Sequence, residues 1–203
     1  MDSIGFTFGQ VAGAFEYAHR VDPKRQSAFR SRLKHYQKQS WPEGINTGRG
    51  KAATYGVGHV VQLMFALEFN ELGLTPDRAM WVLDGNTYWW VQAFRFTIDS
   101  YLVKDLVPFF LTFDPSNLDE LRIDGVPDGA DETFNFFGIG TLREAIEDWT
   151  TTGVVRFSVL NIKAALDPVL ADLSQYYPED VLLRAMLEWA EKAEADYLSG
   201  DDT

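Results

Sequence analysis

The chain has 203 residues, of which 46% are hydrophobic and 24% charged, with 16 Gly and 8 Pro. That composition excludes a collagen-like or wholly disordered chain, and the length suffices to bury a sizeable core in one or two domains. Cysteine is absent, which excludes disulfides, thiolate metal sites, catalytic cysteines and thiol redox sensing. No apolar run reaches the roughly 18 residues of a membrane span. The opening MDSIGFTFGQ has no basic stretch ahead of an apolar core, so a cytoplasmic location is expected.

The formal net charge of −12 speaks at first against nucleic acid. Its distribution reverses that impression. Residues 1–56 hold nine Lys/Arg against four Asp/Glu, a net +5, whereas the remainder holds nine against 26, a net −17. Such asymmetry points to a polyanionic partner for the basic part. The plainer alternative is an uneven but idle surface.

Residues 7–15 (TFGQVAGAF) set Val11, Ala14 and Phe15 at helical spacing, with Thr7 as N-cap. A second helix is predicted over 22–38. Asp22 caps it, Pro23 takes the first helical position, and Phe29, Leu33 and Tyr36 form its apolar stripe. The other faces carry Lys24, Arg25, Arg30, Arg32, Lys34, His35 and Lys38. Their mutual repulsion, about a few tenths of a kcal/mol per close pair, would be relieved by a polyanion.

Trp41-Pro42 stops this helix. The stretch 40–56 (SWPEGINTGRGKAATYG) reads as a β-hairpin with a Gly-rich, basic turn and Ala52–Tyr55 as return strand. It matches neither GxxxxGK[ST] nor GxGxxG, and no apolar strand leads into it, which argues against nucleotide binding. Residues 57–72 form a helix with Val60, Leu63, Met64, Leu67 and Leu72 on its apolar face and Gly73 as C′ residue. Thr75 and Pro76 open a further helix over 76–83, and Gly85-Asn86 closes the unit.

The second half has a different texture. Residues 87–105 place Trp90, Phe94, Ile98, Tyr101 and Leu102 on one helical face, although the alternation Tyr88, Trp90, Gln92, Phe94, Phe96 also suits a strand. Residues 106–113 (LVPFFLTF) read as a strand, and the Asp- and Gly-rich 114–140 as loops or short strands around 121–123 and 134–137. A short helix over 141–150, a strand over 154–162 (VVRFSVLNI) and a helix over 178–198 complete the chain. The last helix carries Leu182, Met186, Trp189 and Ala193 as its stripe.

Helix, basic helix, Gly-rich hairpin and long helix is the order of a winged helix-turn-helix, whose second helix enters the major groove. LKHYQKQSWP at 33–42 and GRGKAATYGVGHVVQLMFALEFNELGLTPDRAMWVL at 48–83 resemble the DNA-binding domain of MerR-type transcription regulators. Tyr36, Gln37, Pro42, Tyr55, Leu63, Leu67, Leu72, Gly73, Thr75 and Leu83 fit that scheme, over residues 6–84. The family's helix-end Arg is replaced by Lys34 or displaced to Arg32, and the hairpin is lengthened by NTGRGK. The long C-terminal pairing helix and a Cys-based metal-sensing loop are not evident. The resemblance therefore implies DNA binding, not the family's inducer chemistry or promoter twisting.

The expected fold is mostly α with an α+β second half: a winged helix-turn-helix domain over 1–85, then an acidic, aromatic-rich α+β domain over 86–203. Arg25, Arg30 and Arg32 are the candidates for base edges, because a bidentate Arg reads guanine. Lys24, Lys34 and His35 sit nearer the backbone, and Gln26 and Ser27 suit base edges or phosphates. On the wing, Arg49 and Lys51 should contact phosphate or enter a minor groove, assisted by Asn46 and Thr47. Trp41 and Tyr55 read as packing residues.

Asp114, Asp119, Glu120, Asp124, Asp128, Asp131 and Glu132 lie far from any His in sequence and read as solvated loop charge. No catalysis, metal or cofactor is expected. The leading expectation is a sequence-specific regulator bound to double-stranded DNA on the nucleoid. It would pair as a homodimer through 86–203, or touch a protein partner such as RNA polymerase, without membrane contact. The alternatives are an architectural or excisionase-like accessory protein of a mobile element, and a small-molecule sensor.

Overall fold

The computed structural model describes residues 4–45, 52–104, 108–113, 135–138, 142–143, 146–147 and 158–200. The fold is mostly helical, with two small antiparallel sheets. Strand β1 (Phe6–Thr7) leads into α1 (Phe8–Ala18). Thr7 caps α1 in a reciprocal box: its Oγ1 accepts from the Gln10 amide, and the Gln10 side chain accepts from the Thr7 amide at 2.8 Å. The expected helix over 22–38 divides into a 3₁₀ turn (Pro23–Arg25) and α2 (Gln26–Lys38). Asp22 accepts from the Lys24 amide at 2.8 Å, which tightens the chain before the α-helix begins.

The return strand expected at Ala52–Tyr55 is present as β2 (Thr54–Tyr55), and its described partner is β1. Phe6 stands opposite Tyr55 and Thr7 opposite Thr54. The expected hairpin over 40–56 is corrected in its first strand: residues 40–45 form turns and a bend, not a strand, and the turn at 46–51 lies outside the described residues. Trp41 and Tyr55 are buried, as packing residues should be.

α3 (Val57–Glu71) ends at Gly73, whose φ of +101° is open to glycine without strain. The Gly73 amide donates to the Asn70 carbonyl and the Leu74 amide to the Phe69 carbonyl, both at 3.0 Å, closing a Schellman motif. α4 (Pro76–Gly85) is capped by Thr75 and runs almost directly into α5 (Thr87–Leu102). In 87–102 the helix prevails over the strand alternative. Trp90, Phe94 and Ile98 are all buried on one face, while Gln92 and Phe96, which alternation would bury with them, are half-exposed.

In the second half, β3 (Phe109–Phe113) lies between β4 (Asn135–Gly138) and β5 (Ser158–Asn161), antiparallel to both. Residues 121–123 lie outside the described residues. Of the expected short helix over 141–150, residues 142–143 and 146–147 are described, and they are helical. Two helices follow, α6 (Ile162–Leu173) and α7 (Glu179–Ser199). α6 matches no predicted element, and Pro168 lies in its middle. Asn161 caps it through the Ala164 amide at 3.1 Å, Ala164 and Pro168 turn outward, and Leu166, Val169, Leu170 and Leu173 turn inward.

A single cluster of buried side chains runs from Phe6 to Ala190. The boundary expected between residues 85 and 86 falls in the joint between α4 and α5, and both sides contribute to this cluster. α1 packs on α6 and α5 on α7. At the meeting of α3, α5 and α7, the Trp189 ring stacks on Trp90, with centroids 6.0 Å apart, and sits edge-on to Phe94 at 6.1 Å. Gly58 makes this possible, because a Cβ there would lie 2.1 Å from Trp189 Nε1.

Gly58→Ala should therefore overpack the junction and lower stability by about 1–3 kcal/mol, measured as a reduced midpoint in urea with an unchanged slope.

Candidate nucleic-acid interface

α2 is amphipathic because its three apolar residues recur every third or fourth position. Leu33 and Tyr36 are buried and Phe29 packs against the same core. Tyr36 fixes the helix to the scaffold: its hydroxyl donates to Asn70 Oδ1 at 2.8 Å, and Asn70 Nδ2 donates to the Leu74 carbonyl at 3.1 Å. Burial pushes the Tyr36 phenol well above its ordinary range, so it stays a neutral donor. Just past α2, Trp41 Nε1 donates to Asp84 Oδ1 at 2.9 Å, which ties the helix end to α4.

Lys24, Arg25, Arg32, Lys34 and Lys38 are exposed and form no ion pair among the described residues. The Lys34 ammonium lies over the Phe8 ring, 5.6 Å from its centroid. His35 Nε2 donates to Asp77 Oδ1 at 3.0 Å, which joins α2 to the first turn of α4. Gln26 is half-exposed beside an open cleft of about 1030 Å³ that is also lined by Glu16, Tyr17, Arg20 and Asp167. Ser27 is exposed, and its carbonyl accepts from Ser31 Oγ at 2.9 Å.

Arg30 has a different situation from the other arginines. Its Nε donates to Glu16 Oε1 at 2.6 Å and its Nη2 to Glu16 Oε2 at 3.0 Å, a fork across α1 and α2. Glu16 is only 8% exposed, so Arg30 is the compensating charge for a buried carboxylate. Asn46, Thr47, Arg49 and Lys51 lie outside the described residues.

At about 100° per residue, the side chains of α2 sort into a ridge and two flanks. Ser27, Ser31 and Lys38 lie opposite the buried stripe. Arg30 and Lys34 lie on the α1 side of this ridge, and Ala28, His35 and Arg32 on the other side, toward Asp77. Ala28, Ser31, Lys38 and Glu16 were not among the expected contacts. The signal for the ridge is the i, i+4 pairing of Ser27 with Ser31. Glu16 has no local signal, since its role depends on a residue fourteen positions away.

Two histidines stiffen the surroundings. His19 caps the C-terminus of α1 with its Nε2 3.9 Å from Glu68 Oε1. Burial lowers its pKa and Glu71 opposes that, while burial and Glu71 raise the Glu68 carboxyl. His59 Nδ1 accepts from the Gly56 amide at 3.0 Å and its Nε2 faces the Glu43 carbonyl at 2.9 Å. Both bonds require the neutral ring with its proton on Nε2. Burial lowers the His59 pKa, and the Glu43 carbonyl partly offsets this.

Among the described residues no group of His, Asp and Glu is placed to hold a metal ion, and no helix is long and apolar enough to cross a membrane. The acidic residues between 114 and 132 lie outside the described residues. No family model, curated protein or solved structure matches the chain.

Two predictions follow from these contacts. Arg30→Ala strands the Glu16 carboxylate and should lower stability by about 1–3 kcal/mol, reduced from the fully buried case because Arg30 is part-exposed. For His59 the folded state favours the neutral ring. Its contribution is complete above the ordinary histidine pKa of about 6.5 and is lost as pH falls below it. Thermal melts between about pH 7 and pH 5 should therefore fall less steeply for His59→Gln than for the natural chain. His19, Glu43 and Tyr55 are unchanged in both proteins, so the difference reports His59.

Proposed function

We propose that the protein is a sequence-specific regulator that binds double-stranded DNA through α2, laid in the major groove. The observation that carries this reading is the cross-section of α2: a small, mostly uncharged ridge with cations along both flanks. A major groove has base edges at its floor and a phosphate strand on either side. Thirteen residues make a helix of about 20 Å, long enough to cross a groove about 12 Å wide and reach phosphates on both sides. The bonds of Tyr36, Arg30 and His35 to three different helices hold that surface in one orientation, as a preorganised site requires.

The succession of α1, α2, β2, α3 and α4 supports a winged helix-turn-helix reading of the first part, with residues 46–51 as the wing. In that reading Arg49 and Lys51 meet phosphate or a minor groove, and Asn46 and Thr47 assist them. The −17 balance beyond residue 56 would turn the rest of the molecule away from the duplex. That part is then the face for a second copy of the chain or a protein partner such as RNA polymerase, and the site of action is the nucleoid.

Fluorescence anisotropy of the full chain on labelled duplex, titrated with salt, tests the reading. Affinity should fall linearly on a log–log plot, and Arg32→Ala, Lys38→Ala and Lys51→Ala should each reduce the slope by about 1. Absence of duplex binding at about 50 mM salt, or binding indifferent to salt, would overturn it.

A further inference from the structure

Arg30 lies near the middle of α2, next to Ser31, whereas the central Arg32 stands on the flank toward Asp77. The Arg30 Nε and Nη2 are both engaged by Glu16, and the same forked edge is what a bidentate guanine contact requires. Turning Arg30 toward a base would leave the buried Glu16 carboxylate unpaired. The exposed positions beside it are small instead: Ser27 and Ser31 on the outward ridge and Ala28 next to it, toward His35. Ser31 Oγ gives its one proton to the Ser27 carbonyl at 2.9 Å, which leaves its lone pairs to accept. In the major groove an acceptor is complementary to the amino groups of adenine and cytosine, and is repelled by the acceptor oxygens of guanine and thymine. The Ala28 methyl is complementary to the thymine methyl.

Resting on the DNA-binding reading above, we infer that Ser31 and Ala28 read the sequence, with adenine or cytosine opposite Ser31 and thymine opposite Ala28. In this assignment Arg30 is a positioning residue that fixes the angle between α1 and α2 through Glu16.

Selection of bound duplexes from a random-sequence pool by the full chain, followed by sequencing, tests the assignment. Four proteins are compared: the natural chain, Ser31→Ala, Arg30→Lys, and the neutral pair Glu16→Gln with Arg30→Gln. Each is first shown to melt cooperatively. Ser31→Ala should lose its adenine-or-cytosine preference at one base pair by about three- to tenfold, the worth of one net hydrogen bond. Arg30→Lys and the neutral pair should keep the same preferred sequence, with affinity lowered equally on all duplexes. Loss of a preferred guanine in either Arg30 variant, or an unaltered preference in Ser31→Ala, would overturn the assignment while leaving DNA binding intact. If the natural chain selects no duplex, the DNA-binding reading falls and the assignment with it.

Discussion

Close packing of aromatic rings against bare backbone at Gly58 is the constraint on which the rest of the molecule depends. Trp189 reaches α3 only because Gly58 has no side chain, and from there it stacks on Trp90 and meets Phe94. Phe65 continues the stack from α3, with its ring centroid 5.1 Å from that of Trp90. Aromatic pairs in these geometries contribute beyond their buried area. The junction thereby joins α3 to α5 and α7. The far side is closed in the same way, where Tyr177 meets the edge of Phe6 and its hydroxyl donates to the Gly5 carbonyl.

A helix that carries four Lys/Arg has little reason of its own to stay in one place. α2 is held because each of its sides has a polar anchor besides the apolar stripe. Glu16 takes Arg30 on the α1 side, Asp77 takes His35 on the α4 side, and Asn70 takes Tyr36 beneath. These bonds divide the basic residues by physical role. Arg30 and His35 are engaged with carboxylates of the fold, whereas Arg25, Arg32 and Lys38 extend into solvent. Net charge counts Arg30 like Arg25, Arg32 and Lys38, but only the second group contributes its whole charge to a polyanion.

Much of the local structure was legible because it rests on neighbours in sequence. Thr7, Asp22, Thr75 and Gly73 each act on groups within five residues, so their capping roles follow from residue type and position. The α6 helix matches no predicted element; its Pro168 is a breaker by local rule, and is tolerated here by turning outward with Ala164 while the apolar side packs on α1. The strand at Thr54–Tyr55 was legible by pattern, but its pairing with Phe6–Thr7 was not, since a strand's hydrogen bonds do not name their partner.

The sequence alone determined the basic character of α2, its apolar stripe and its end, because periodicity and helix stops are short-range. It also separated a positive first part from a negative remainder. Tertiary structure decided which cations are free to meet a partner. Glu16 and Arg30 are fourteen residues apart, and Asp77 and His35 forty-two. An ion pair between separate helices exists only once packing brings their surfaces together, so no local pattern distinguishes Arg30 from Arg32.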